Sequence, residues 1–208
     1  MSIRAVIFDL GGVLLYIPEP GVRYAKWEML LGLQPGELLE ILRQSGFIAD
    51  ATIGKLSEQE MVGQLSTLLG LNSQQANEFL DEHATYFELN RELTEFVERL
   101  RPRYKTAILS NAWPDAPKKI EERYHFEEIV DTIIYSCEVG MAKPEPGIYY
   151  LACQRLGVLP EEVVFIDDTE RNVIGAQCLG IQAVLFQHNA QAIAEMQAYL
   201  DALPYNSL

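Results

Sequence analysis

A chain of 208 residues with 49% apolar and 22% charged residues has the make-up of a folded globular protein rather than a disordered one. Its formal net charge of −14, from 30 acidic against 16 basic residues with no long run of Lys or Arg, excludes nucleic acid as the expected partner. No apolar stretch approaches the roughly 20 residues that span a bilayer, Met1-Ser2-Ile3-Arg4 has no secretion-signal layout, and Cys137, Cys153 and Cys178 form no CxxC pair, so no membrane partner, a cytoplasmic location and reduced thiols are expected.

Ile3–Leu10 (IRAVIFDL) is a short run rich in β-branched residues, ended by Gly11-Gly12, and reads as a buried parallel strand followed by a tight turn. From about Tyr16 to Phe87 the periodicity is helical, with no convincing strand. Ser57-Glu58-Gln59-Glu60 is a capping box in front of a helix that runs towards Leu69 and stops at Gly70. Asn72-Ser73 opens another helix carrying Ala76, Phe79, Leu80 and His83. Tyr16, Tyr24, Trp27, Phe47 and Phe87 are read as a small apolar core for this stretch. Beyond it, strand-like runs at 105–110, 132–135, 163–166 and 183–186 alternate with amphipathic segments at 90–100, 115–124, 146–156 and 169–179. The expected fold class is therefore α/β, a doubly wound parallel sheet with a small helical cap inserted after strand one: residues 1–15 and 88–208 as the core, 16–87 as the cap.

In an open parallel sheet, ligands bind outside the carboxyl ends of the strands. The polar residues there are Asp9 with Leu10, Gly11 and Gly12; Ser110 and Asn111; Lys143 before Pro144; and Asp167-Asp168 before Thr169. Each alone has a structural explanation. Asp9 could form the turn, Ser110-Asn111 could cap, Lys143 could be solvated, and the Asp pair could start a helix. The joint arrangement suits phosphoryl transfer. Carboxylates gathered at one point repel one another unless a hard cation such as Mg²⁺ sits between them. Asp9 can then attack phosphorus, Lys143 can balance equatorial charge, and the Leu10 and Gly11 amides, the Ser110 hydroxyl and the Asn111 N–H can hold the phosphate. His83, His125 and His188 show no ligand spacing and read as surface or structural residues, and Trp113 reads as packing beside the pocket.

The segments FDLGGVL (Phe8–Leu14), LSNA (Leu109–Ala112), AKPEPGIY (Ala142–Tyr149) and FIDDTERN (Phe165–Asn172) resemble, in order, the four motifs of the haloacid dehalogenase-like hydrolase superfamily. The resemblance covers nearly the whole chain. It is nearest in character to small-cap branches with α-glucose-1-phosphatase-like enzymes and the N-terminal phosphatase domain of soluble epoxide hydrolases. It implies a Mg²⁺-dependent phosphatase of a small phosphorylated metabolite, a sugar phosphate above all. Asp9 would be the nucleophile and a metal ligand, Ser110 and Lys143 would bind phosphate, and Asp167 and Asp168 would hold Mg²⁺. One departure stands out, because the family's usual second Asp, two residues after the nucleophile, is here Gly11. Its carbonyl can bind metal but cannot deliver a proton, a service typically worth about two to four orders of magnitude in rate. A good leaving group, a carboxylate from the cap, or weak or absent catalysis are the alternatives this leaves. Metal-independent 2-haloacid dehalogenases also lack the second Asp, but in them the fourth motif looks non-acidic. A silent phosphate-binding protein is the remaining alternative.

Overall fold

The computed structural model describes residues 2–19 and 23–201. In chain order the elements are β1 (Ala5–Phe8), β2 (Leu15–Tyr16), α1 (Ala25–Leu31), α2 (Glu37–Gln44), α3 (Phe47–Thr52), α4 (Glu58–Leu69), α5 (Ser73–Thr85), β3 (Glu88–Leu89) and α6 (Arg91–Leu100). There follow β4 (Lys105–Ser110), α7 (Ala116–Tyr124), β5 (Thr132–Tyr135), α8 (Ser136–Val139), α9 (Pro146–Leu156), β6 (Val163–Asp167), α10 (Glu170–Gln177), β7 (Gln182–Leu185) and α11 (Asn189–Leu200).

Five strands form one sheet in the order β5-β4-β1-β6-β7, every pairing parallel. The sheet is buried on both faces, which explains the continuous apolar runs. Along β1, Val6 and Phe8 join the cluster under α6, α7 and α11, whereas Ala5 and Ile7 join the cluster under α9 and α10. The chain leaves β1 to build β4 and β5 on one side, then returns to build β6 and β7 on the other. That reversal opens a crevice at the carboxyl ends beside β1. The first strand is shorter than the sequence suggests. The Asp9 N–H still donates to the Ile166 carbonyl at 2.8 Å, but Leu10 begins the turn, its carbonyl accepting from Leu15 N–H at 2.7 Å.

Between β2 and β3, which pair with each other, the helices α1 to α5 gather round their own cluster of Trp27, Leu38, Phe47, Met61 and Phe79. Helix α4 begins at the Ser57–Glu60 capping box and ends at Gly70, whose φ is 69°; α5 begins at a second box, Asn72 with Gln75. The short helices α2 and α3 follow glycines in the left-handed region with no side-chain cap. The sequence carries no start signal for them. Helix α11 is also missed, because its N-cap acceptor is His188 rather than one of the usual hydroxyl or carboxamide residues. Two aromatics expected in the inserted cluster lie elsewhere. Tyr16 is 41% exposed and donates to Glu88 because it sits on an edge strand. Phe87 packs against the sheet's cluster instead. Cys137, Cys153 and Cys178 are free thiols, and Cys178 is exposed rather than core. Among the described residues no helix is long and apolar enough to cross a membrane.

Candidate active site

The turn after β1 sets the first group in place. Gly12 adopts φ +88°, and a Cβ built there would come within 2.1 Å of an Asp168 carboxylate oxygen, so any other residue is strained here and displaces the Asp168 side chain. Asp9 leaves the sheet just before it. Its Oδ1 accepts from the Leu10 N–H at 2.6 Å and lies 2.7 Å from the Lys143 Nζ. Its Oδ2 has no hydrogen-bond partner among the described residues.

Lys143, expected on its own to be solvated, is buried. Its Nζ bridges Asp9 and Asp167, lying 2.6 Å from Asp167 Oδ2. Asn111 locks the lysine backbone from both sides: the Lys143 N–H donates to Asn111 Oδ1 at 2.9 Å and Asn111 Nδ2 donates to the Lys143 carbonyl at 3.0 Å. Asp167, at the end of β6, is wholly buried. Besides Lys143 it accepts from the Thr169 N–H at 2.8 Å and from Asn172 Nδ2 at 3.0 and 3.1 Å. Asn172 is itself tied down, since its carbonyl accepts from the Tyr149 hydroxyl at 2.8 Å. Sequence reasoning gave no role to Asn172, although it closes the FIDDTERN segment at i+5 from Asp167. Asp168 stands on the exposed rim and accepts from the Thr169 hydroxyl.

Ligand oxygens of Asp9, Asp167 and Asp168 all lie within 4.8 Å of one another. One lysine against three carboxylates leaves an excess of negative charge in a largely buried place. Burial pushes the Asp9 carboxyl up to about 8, against the pull of Lys143 and with a further push from Asp167. A divalent cation fits this donor set, because it lowers the repulsion and takes hard oxygen ligands. Mg²⁺ is of that kind.

Leu10, Gly11, Ser110 and Asn111 line one small cavity with His83 and Trp113. Ser110 is buried at the end of β4. His83 comes from α5, is half-buried, and stacks on Trp113 with ring centroids 3.7 Å apart and planes 5° from parallel. None of the three carboxylates lines this cavity or a larger open groove beside Tyr16, Asn90, Arg123 and His188, but only the small cavity borders Leu10 and Gly11, next to Asp9.

Comparison with known proteins agrees with this architecture. The family model for hydrolases described as haloacid dehalogenase-like matches residues 3–180. Bifunctional epoxide hydrolase 2 of Sus scrofa is 29% identical over 219 residues, which cover 95% of this chain but 39% of that protein, so the chain spans about two fifths of that relative. D-ribitol-5-phosphate phosphatase of Bacteroides thetaiotaomicron is 25% identical over 207 residues, covering 96% of this chain and 100% of that protein. A haloacid dehalogenase-family enzyme of the same bacterium, solved with magnesium and inorganic phosphate, shares the fold at a TM-score of 0.73 and 24% identity, over 88% of this chain and 93% of that one.

Proposed function

The chain belongs to the haloacid dehalogenase-like hydrolase family, and from that premise we propose that it is a magnesium-dependent phosphatase of small phosphorylated metabolites, with a sugar phosphate as the leading class. The observation that carries this reading is the Lys143 Nζ held between Asp9 and Asp167 while Asp9 Oδ2 has no protein partner. A buried lysine cancels part of the carboxylate charge and keeps one oxygen of Asp9 free to act as a nucleophile.

In the proposed reaction Asp9 attacks phosphorus, the bond to the ester oxygen breaks, and an aspartyl-phosphate and an alkoxide form. Water gives one proton to the alkoxide, which leaves as the alcohol, and the resulting hydroxide attacks the phosphorus, returning the Asp9 carboxylate and releasing inorganic phosphate. Lys143, the Ser110 hydroxyl and the N–H groups of Leu10, Gly11 and Asn111 hold the phosphate oxygens. Asp9, Asp167, Asp168 and the Gly11 carbonyl would hold Mg²⁺, which when bound offsets the charge of both carboxylates and phosphate. Asn172 and the Thr169 N–H fix Asp167, and Asn111 fixes Lys143, so neither has to be ordered when substrate arrives.

Residues 16–87 serve in this proposal as the cap, and 1–15 with 88–208 as the core. A cap over the carboxyl edge of the sheet admits a small phosphate ester more readily than a bulky one. Macromolecular phosphates are disfavoured for the same reason. Phosphate release from a panel of sugar and polyol phosphates, with and without Mg²⁺ and beside Asp9→Asn, tests the reading. Metal-dependent turnover lost in Asp9→Asn supports it. Chloride release from a 2-haloacid without metal would replace it with a dehalogenase, and no turnover at all would point to a silent phosphate-binding protein.

A further inference from the structure

Among the described residues His83 is the only titratable side chain that lines the cavity shared by Leu10, Gly11, Ser110 and Asn111. Its surroundings orient the ring. The ring lies flat on Trp113, 3.7 Å between centroids. Nδ1 is 3.0 Å from the Tyr24 hydroxyl and 3.2 Å from Arg23 Nη2. Arginine only donates and lies nearer Nδ1 than Nε2, 3.2 against 3.4 Å, so with the Tyr24 hydroxyl also on Nδ1 this nitrogen is the better acceptor and the tautomer with hydrogen on Nε2 is favoured. Arg23 is held there independently, donating to the His83 carbonyl at 2.8 Å and stacking over the Phe87 ring at 4.8 Å. Burial, then Arg23 and Lys119, hold the imidazole well below its ordinary range, so it is neutral. Arg23 Nη2 lies 3.4 Å from Nε2 and is itself a donor, so in that tautomer the Nε2–H has no acceptor among the described residues.

We propose that the Nε2–H of His83 donates a hydrogen bond to the ester oxygen of the substrate as its bond to phosphorus breaks. The residue two positions after the nucleophile is Gly11, which has no proton to lend, and the leaving oxygen otherwise carries its growing charge unaided. The proposal rests on the phosphatase reading above. In the first step electrons of the P–O bond pass to the ester oxygen while Asp9 becomes esterified to phosphorus. The freed alkoxide takes a proton from the water that is consumed in hydrolysis, and the resulting hydroxide attacks the aspartyl-phosphate. Ester plus water gives alcohol plus phosphate, and His83 ends unchanged. A neutral donor of this kind lowers a barrier without titrating in the working range.

Leaving-group dependence tests this. His83→Phe keeps a flat ring against Trp113 but has no N–H. Turnover of an alkyl phosphate should fall by about ten- to a thousandfold, the span for loss of one oxyanion donor, while p-nitrophenyl phosphate, whose leaving oxygen is already stable, should lose about threefold at most. His83→Gln restores an N–H and should recover part of the alkyl-phosphate activity. Tyr24→Phe leaves His83 in place but releases Nδ1, and should show a smaller loss of the same leaving-group-dependent kind. Equal losses on both esters in His83→Phe and Tyr24→Phe, or no loss, overturn the role of His83 and leave the phosphatase reading standing. Failure of the unmutated protein to hydrolyse p-nitrophenyl phosphate with Mg²⁺ would overturn both.

Discussion

The carboxyl edge of the sheet and the helical insertion answer to different rules. In the insertion, Trp27, Phe47 and Phe79 pack on one another and on aliphatic neighbours, and both longer helices start at complete capping boxes. Local preference and tertiary packing agree there. At the sheet edge, Asp9, Lys143 and Asp167 are buried together, with carboxylate oxygens within 4.8 Å of one another and the lysine 2.7 and 2.6 Å from two of them. Such a cluster lowers stability and is tolerated because Asn111, Asn172 and the Thr169 N–H hold each member in place. A region that breaks local rules while dedicated partners hold its members is where chemistry is expected.

The contrast breaks most visibly if the buried lysine of this cluster is removed. Lys143→Met should destabilise the metal-free protein by about 3–5 kcal/mol, because Asp167 is left wholly buried without its counter-charge and Asp9 loses its partner. Urea unfolding measures it, and a loss under about 1 kcal/mol would mean that solvent already screens the pair. Added Mg²⁺ should restore part of the loss.

A proton should act on the same cluster with a defined sign. The folded protein raises the Asp9 carboxyl from its ordinary 3.8 to about 8. Between those values the folded state binds more protons than the unfolded chain. The contribution of Asp9 is therefore fully present below about pH 4 and is lost as pH rises through about 8, with a slope of at most ~1.4 kcal/mol per pH unit. Unfolding of the metal-free protein from pH 5 to 8 checks this. Asp9→Asn should flatten the profile, and an unchanged slope in that variant would assign the effect elsewhere.

A smaller effect is expected at the turn. Gly12→Ala puts a Cβ into Asp168 at a backbone angle of +88°, and should cost about 1–3 kcal/mol. It should also weaken Mg²⁺ binding measured by calorimetry, since Asp168 has to move. Unaltered metal affinity would remove Asp168 from the proposed ligand set.

Much of the sheet was legible, because a strand buried on both faces can only be an apolar run and the runs are short and well separated. The polar residues at its ends could be found for the same reason. What was not legible depends on three-dimensional partners. Asn172 looks like any helix residue until Asp167 is seen beside it, and Lys143 looks solvated until Asn111 pins its backbone. His83 has no neighbour in sequence to mark it, since Tyr24 and Trp113 reach it from 59 and 30 positions away. Helices α2 and α3 open after left-handed glycines, which sequence patterns read as stops more readily than starts.

The insertion offers the counter-test, in a place where nothing but ordinary helix physics is at stake. Asn72 Oδ1 accepts from the Gln75 N–H at 2.9 Å while Gln75 returns a bond to the Asn72 N–H at 3.0 Å. Asn72→Ala removes one acceptor and leaves an end of α5 with an unpaired N–H that water can reach, so the loss should be about 1 kcal/mol. That helix also carries His83, eleven residues on from the cap. If α5 is held chiefly by Ala76, Phe79 and Leu80 in the inserted cluster, fraying its first turn leaves His83 where it is, and turnover at saturating substrate should stay within about twofold, a change below 0.5 kcal/mol. A large fall in turnover from this remote, exposed position would show that the insertion is not the rigid, independently packed unit its core suggests, and that the two regions share one stability.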